Sequence, residues 1–309
     1  MIMSNKVMIV GTGNVGASIG FSIVSQRTSV NELVLTDINT EDAEGEAMDL
    51  RDTLAVSPKY LNIHSGTYES DAKNTDIIVI TAGVPQKPGE SRMDLLNKNA
   101  GIFKEMTTRI MQAGFNGIFL VVSNPMDVMT YLVKKYSGLP DEQVIGSGTV
   151  LDSARLRYKI SEKLHVSPQS VHAYQIGEHG DTEFSLWSTA DCGGQSLVKL
   201  LDEKTRSEIE NFTKNEAYDI INKKGATYYG IGACVTNIIN CILDDESRVL
   251  PVSTYDEYND VYYGFPAIVG RKGIIKKLEL NLSEEEGVKL QTSINAIKEA
   301  IAEIKETES

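Results

Sequence analysis

Four short apolar runs mark the first half of the chain. Lys6-Val7-Met8-Ile9-Val10 is one, and residues 32–37, 76–81 and 117–122 are the others. Continuous runs of this length predict strands covered on both faces, as in a parallel sheet. Between them the period lengthens to that of a helix. Val15, Ile19, Ile23 and Val24 recur at helical spacing over 14–27, and 41–53 and 93–113 read as helices. Strands alternating with helices imply right-handed crossovers.

The pattern changes near Gly146. A long helix is predicted over 152–164, followed by shorter, polar-rich segments. Helices are predicted over 203–224 and 228–243, and antiparallel strands over 248–253 and 261–269. The chain closes on a charged amphipathic helix over 284–305, with Val288, Leu290, Ile294, Ile297, Ile301 and Ile304 near one stripe. Its charge run reads as a solvated face. Residues 1–145 are expected to form one unit and residues 146–309 a second, mixed α+β unit.

Charge then narrows the partners. Lys and Arg number 30 against 43 Asp and Glu, a net charge of −13. That excludes a nucleic-acid binder and an anionic membrane surface, both of which need clustered cations. It leaves room for a small anion, since a few placed arginines can make a local positive site. Three cysteines, Cys192, Cys234 and Cys241, without a Cys-x-x-Cys pair, predict a reducing, cytoplasmic setting and no disulfide framework. Four scattered histidines predict no structural metal. The apolar stretch from Val7 stops at Gly11, too short for a membrane span or a signal core.

Candidate chemistry begins at that stop. Gly11-Thr12-Gly13-Asn14-Val15-Gly16 lies between a predicted strand and a predicted helix. Its glycines suit a tight turn, close approach to a pyrophosphate, and tight helix–strand packing. Asp37 follows the last glycine by the spacing expected of an acid that hydrogen-bonds a ribose and repels a 2′-phosphate. Together they predict a Rossmann-type doubly wound sheet that binds NAD rather than NADP. A bare Asp37 also reads as a turn residue. Glu178-His179-Gly180-Asp181 offers an acid/base candidate, although a lone histidine is more often structural. Asp152 and Arg155 stand three apart on one helix face. Asn124 lies just past a strand end, where ligands of open α/β sheets gather.

These motifs are joined by Gln86-Lys87-Pro88-Gly89-Glu90-Ser91-Arg92, Leu151-Asp152-Ser153-Ala154-Arg155 and Gly225-Ala226-Thr227-Tyr228-Tyr229-Gly230. As a set they resemble the lactate/malate dehydrogenase family, and within it the bacterial L-lactate dehydrogenases, over nearly the whole chain. The resemblance implies that His179 exchanges a proton with the substrate oxygen while NADH delivers hydride to its carbon. It implies that Asp152 orients and stabilises the imidazole, that Arg155 clamps the substrate carboxylate, and that Arg92 on a closing loop polarises the carbonyl. Asn124 is implied to position both substrate and cofactor, and Gly83 to touch the cofactor. Each residue also has a plainer reading: a helix-terminal acid for Asp152, salt-bridged or solvated arginines for Arg155 and Arg92, and a helix cap for Asn124.

Gln86 bears on the substrate. An arginine at that loop position would pair with a second carboxylate, whereas a neutral Gln leaves a dicarboxylate unpaired. Pyruvate is therefore favoured over oxaloacetate, and Thr227 would limit the pocket near the methyl end. Val84-Pro85, Gly194-Gln195 and the stretches 186–190 and 266–271 are similar instead to malate or branched-chain L-2-hydroxyacid dehydrogenases, which leaves the breadth of the pocket open. A different class, a non-catalytic nucleotide-binding protein, would not need Asp152, His179, Arg92 and Arg155 together. Finally, Arg157 and His172 match positions where bacterial members bind fructose 1,6-bisphosphate across a subunit interface. The resemblance also implies a homotetramer.

Overall fold

The computed structural model describes residues 5–84 and 92–304, with side chains of the second segment from residue 95 onward. One nine-stranded sheet forms its centre. Six strands are parallel: β1 (Lys6–Val10), β2 (Glu32–Thr36), β3 (Asn62–Ser65), β4 (Ile77–Ile80), β5 (Ile118–Val121) and β6 (Val144–Gly146). They lie in the order β3-β2-β1-β4-β5-β6, so the winding reverses between β1 and β4. A crevice at the carboxyl ends of those two strands is the natural ligand site of such a sheet.

Alternation within the strands builds two cores. Val7, Ile9, Ile77 and Val79 face one side, with α1 (Asn14–Ser25) and a later helix, Tyr229–Leu243. Met8, Val10, Ile78 and Ile80 face the other, against Phe103 and Met129. These belong to the helices Arg92–Gln112 and Met126–Ser137, which follow α2 (Thr40–Asp52) and the one-turn α3 (Tyr68–Asp71) and are α4 and α5. Both faces are dry, which is why the central strand runs are apolar at successive positions.

The second half begins with α6 (Val150–Leu164) and continues through five two-residue strands between Val171 and Ser196, β7 to β11. After them come α7 (Leu197–Leu200), α8 (Glu203–Lys224) and α9 (Tyr229–Leu243). Leu156, Ile160, Val171, Leu197 and Ile209 make a third, smaller core there. The chain ends with β12 (Arg248–Asp256), β13 (Val261–Gly270), β14 (Gly273–Lys277) and α10 (Glu284–Ala302). These last three strands are antiparallel and join the large sheet through one pairing, Ser253 with Gly146. The sheet therefore runs on through the expected change of character near Gly146.

Several elements were not visible in the periodicity. β3 is half-polar, β6 has three residues, and α5 follows a proline. The terminal helix is narrower than its stripe suggests. Ile294 and Ile297 are buried, but Val288 is 65 % exposed.

Candidate active site

Glycines shape the turn after β1. Gly11 has φ +99°, and a Cβ there would stand 2.7 Å from Ala82 N, so β1 and the end of β4 meet backbone to backbone. A Cβ on Gly16 would fall 1.9 Å from the Gly11 carbonyl oxygen, so only glycine lets α1 start this close to its strand. Thr81 fastens the turn by donating from Oγ1 to that carbonyl at 2.7 Å. At Gly13 nothing lies within 4 Å of the Cβ position. Gly13 caps α1 without a side-chain hydrogen bond, and no acid sits in the first turn. The first-turn N–H groups and the positive end of the helix are left for an anion.

A cleft of about 640 Å³ opens beside this turn, lined by Thr12, Gly13, Asn14 and Asp37 and, further out, by Glu41, Asp42, Glu46 and Asp49. Asp37 stands just past the end of β2. Its carboxylate accepts the Thr12 N–H at 2.7 Å and the Asn39 N–H at 3.0 Å, which locks it to the glycine turn. A carboxylate has about four lone-pair directions, so acceptor capacity remains for hydroxyl donors. The surrounding acids make the same place hostile to a phosphate.

A second group of polar residues gathers on α6. Asp152 lies in the first turn and is 3 % exposed. One oxygen, Oδ2, is 2.8 Å from His179 Nδ1, and the other accepts from Arg155 Nη1 at 2.8 Å. The loop carrying His179 is held at Gly177, which has φ +98° and exchanges two backbone hydrogen bonds with Gly264 on β13. The His179 side chain is 28 % exposed. Burial pulls its pKa down, but the charge and hydrogen bond of Asp152 outweigh that, helped by Glu183 and Asp127, and raise it to about 9. At neutral pH the ring is an imidazolium. Nδ1 faces Asp152, and Nε2 is the proton-bearing atom left for a ligand.

Asp152 itself is pushed up by burial and pulled further down by His179 and Arg155, so it stays ionised. Glu183 goes the other way. Burial, and then the charge of Asp152, hold its carboxyl well above the usual range. Ligand-type atoms of Asp152, His179 and Glu183 all lie within 4.8 Å of one another. Gln175 Nε2 donates to Glu183 Oε1 at 3.3 Å, while Oε2 is buried without a partner among the described residues. A charged and a neutral carboxyl thus share one imidazolium.

Comparison with known proteins gives this arrangement its context. Residues 5–146 match the model of the lactate/malate dehydrogenase NAD binding domain, and residues 149–308 that of the family's alpha/beta C-terminal domain. The chain belongs to the lactate/malate dehydrogenase family. L-lactate dehydrogenase 1 of Bacillus cereus is 47 % identical, over 97 % of this chain and 98 % of the relative. L-lactate dehydrogenase 2 of Bacillus anthracis is similar to the same degree. Among solved structures, the minor L-lactate dehydrogenase of Enterococcus mundtii in its ligands-bound form superposes with TM-score 0.95 at 42 % identity, covering 98 % of this chain and 99 % of that one. A lactate dehydrogenase from a deep-sea metagenome library also reaches 0.95, at 43 % identity and the same coverage.

As a lactate/malate dehydrogenase family member, the chain is expected to hold NAD, and the glycine turn fits it. Backbone approach is free at Gly13, the helix end is uncapped, and an acid with spare acceptor capacity closes the ribose end. The other family positions are more spread out. Asn14 is exposed and Val15 half-buried at the start of α1. Gly83 is exposed just past β4. Asn124 is exposed past β5, in a cis peptide bond with Pro125. Thr227 is half-buried in the link between α8 and α9. Gln86 lies outside the described residues. Arg92 opens α4, and its side chain also lies outside them. Arg157 donates from Nε and Nη2 to the Pro168 carbonyl at 3.2 and 3.0 Å, four residues before the exposed His172.

Three residues of the second group escaped the sequence reading. Glu183 follows His179 by four positions, and Asp127 follows the Asn124-Pro125 pair by two. Ser253, on β12, is far from both in sequence but donates to Asp127 Oδ1 at 2.5 Å. Proximity to a motif was the only available signal, and Ser253 lacked even that.

Proposed function

We propose that this chain is an NAD-dependent L-lactate dehydrogenase, interconverting pyruvate and L-lactate. The observation that carries the reading is one shared carboxylate. Asp152 holds His179 through one oxygen and Arg155 through the other, so an acid and a carboxylate-binding fork are preset side by side. Nη1 of Arg155 is committed to Asp152. Among the described residues no partner takes the other guanidinium donors, which suits a bidentate grip on a 2-oxo acid carboxylate. His179 Nε2 then donates to the carbonyl oxygen as it gains negative charge, and Asp152 fixes the tautomer throughout. In the reverse direction the neutral ring removes the hydroxyl proton. When bound, the dinucleotide supplies or accepts the hydride.

Gly11, Gly13, Asn14, Val15, Gly16, Asp37, Gly83 and Asn124 hold the cofactor in this reading. Arg92 adds positive charge at the carbonyl, Asn124 positions the substrate, and Gln86 and Thr227 shape its far end. Residues 1–145 act as the dinucleotide unit and 146–309 as the substrate unit. Among the described residues no helix is long and apolar enough to cross a membrane; a cytoplasmic homotetramer is the assembly that accords with the family. Arg157 and His172 lie beside one turn and are the proposed fructose 1,6-bisphosphate contacts.

The deciding assay follows loss of NADH absorbance with pyruvate, oxaloacetate and 4-methyl-2-oxopentanoate. Pyruvate should give the highest kcat/KM. No oxidation with any of the three would overturn the enzyme reading, and preference for the branched acid would shift it to a broader 2-hydroxyacid dehydrogenase.

A further inference from the structure

Asp127 is a buried carboxyl that the mechanism above does not use. It occupies the first turn of α5 and is 2 % exposed. Oδ2 accepts the backbone N–H of His179 at 2.7 Å, and Oδ1 accepts the Ser253 hydroxyl at 2.5 Å. Three separate segments therefore meet on one side chain: the start of α5, the middle of β12 and the loop bearing the acid/base histidine. Burial pushes its pKa up to about 7, against the two hydrogen bonds and the charge of His179.

Those hydrogen bonds do not require an acid. An asparagine could accept from the His179 N–H and donate to Ser253, because a hydroxyl also accepts. An ionised carboxylate here is costly to bury, although the positive end of α5 offsets part of that cost. What the charge adds is its field at the imidazole. Among the described residues, the other charged or titratable groups around His179 are Asp152 and Arg155 on α6 and Glu178 and Glu183 on its own loop. Asp152 dominates, and Glu183 and Asp127 add smaller pulls in the same direction, Asp127 from a different element of the fold.

We infer that Asp127 is a positioning residue for His179, which pins the loop through the amide and helps keep the ring protonated. Its catalytic consequence rests on the reading of His179 as proton donor. Its electrostatic consequence does not.

The test is a nuclear magnetic resonance titration of the histidine rings in the full-length protein, where four histidines give four resolvable sets. In Asp127→Asn the His179 titration should fall by about 0.5–1 pH unit. The alkaline limb of kcat/KM for pyruvate should move with it, while thermal stability does not fall. Ser253→Ala should shift the ring the same way but less, because it makes Asp127 harder to ionise. Asp127→Ala should also lower kcat several-fold, with KM for NADH unchanged and activity largely rescued in Asp127→Asn. An unshifted ring in Asp127→Asn overturns the charge role, and a wild-type kcat in Asp127→Ala overturns the pinning role. If Asp127→Ala does not fold, the ring titrations of the other two variants still decide. If the wild type oxidises no NADH with any 2-oxo acid, the enzyme reading fails, while the ring titration still judges Asp127.

Discussion

Replacing Asp152 by Asn would test the shared-carboxylate arrangement most directly. The wild-type imidazole is raised from 6.5 to about 9, chiefly by Asp152 against the opposing pull of burial. At 1.36 kcal/mol per pKa unit, that is about 3 kcal/mol of preferential stabilisation of the imidazolium. With that charge gone, only the smaller pulls of Glu183 and Asp127 oppose burial, so the ring falls back toward 6.5. Pyruvate reduction needs the protonated ring, so its kcat/KM is lost as pH rises through the pKa of the free enzyme. The penalty must therefore depend on pH. From protonation alone, the ratio of wild type to variant is roughly fourfold at pH 7, roughly thirtyfold at pH 8, and about 300-fold by pH 10. Loss of tautomer control multiplies all three by one constant factor. The assay is initial NADH oxidation at subsaturating pyruvate from pH 6 to 10. NADH affinity serves as control, because the glycine turn and Asp37 share no hydrogen bond with Asp152. A ratio that stays flat between pH 6.5 and 9 would refute the reasoning, since a purely steric role predicts that.

Three further outcomes follow from other parts of the site. Gly16→Ala places a methyl 1.9 Å from a backbone oxygen; it should cost about 1–3 kcal/mol of stability and weaken NADH binding at least tenfold, read by thermal melts and fluorescence titration. Gln86→Arg should raise the oxaloacetate-to-pyruvate ratio of kcat/KM by about 10- to 100-fold, the worth of one charge-assisted pairing, and an unchanged ratio would remove Gln86 from the substrate pocket. Fructose 1,6-bisphosphate should lower KM for pyruvate in the wild type and have no effect in Arg157→Gln; identical saturation curves with and without it at pH 6 and 7.5 would remove the effector site.

How far the sequence carried depends on how local each feature is. β1, β2, β4 and β5 were legible because both of their faces are dry, so their inner positions had to be apolar. The glycine turn was legible because its constraints are backbone contacts within a few residues, as at Gly11 and Gly16. β6 was not, since three residues carry no period, and its strand character comes from pairing with β5 and with Ser253. The same distinction runs through the site. Asp152 and Arg155 are one helical turn apart, and their proximity could be read from spacing alone. Nothing in the spacing brings Asp127, Ser253 or Glu183 to His179, because that contact forms only when α5, β12 and the 178–183 loop pack together.

The net charge of −13 also takes on a clearer meaning once those contacts are known. Part of the excess acid lines the outer cleft beside the glycine turn, where its charge disfavours a phosphate. Another part is turned inward on His179, where it raises the pKa of the proposed proton donor. The pH dependence of stability has the same sense. A histidine whose folded pKa is raised contributes stability that is complete below 6.5 and is lost as pH rises through about 9. Asp127 is a carboxyl raised to about 7 by burial, so it costs stability as pH rises from 3.8 through 7. Both slopes point the same way: these two groups favour the fold on the acid side of neutrality, and reduction of pyruvate should persist there. Activity that instead fell below pH 7 while the fold remained intact would mean that the acids around His179 do not hold its proton.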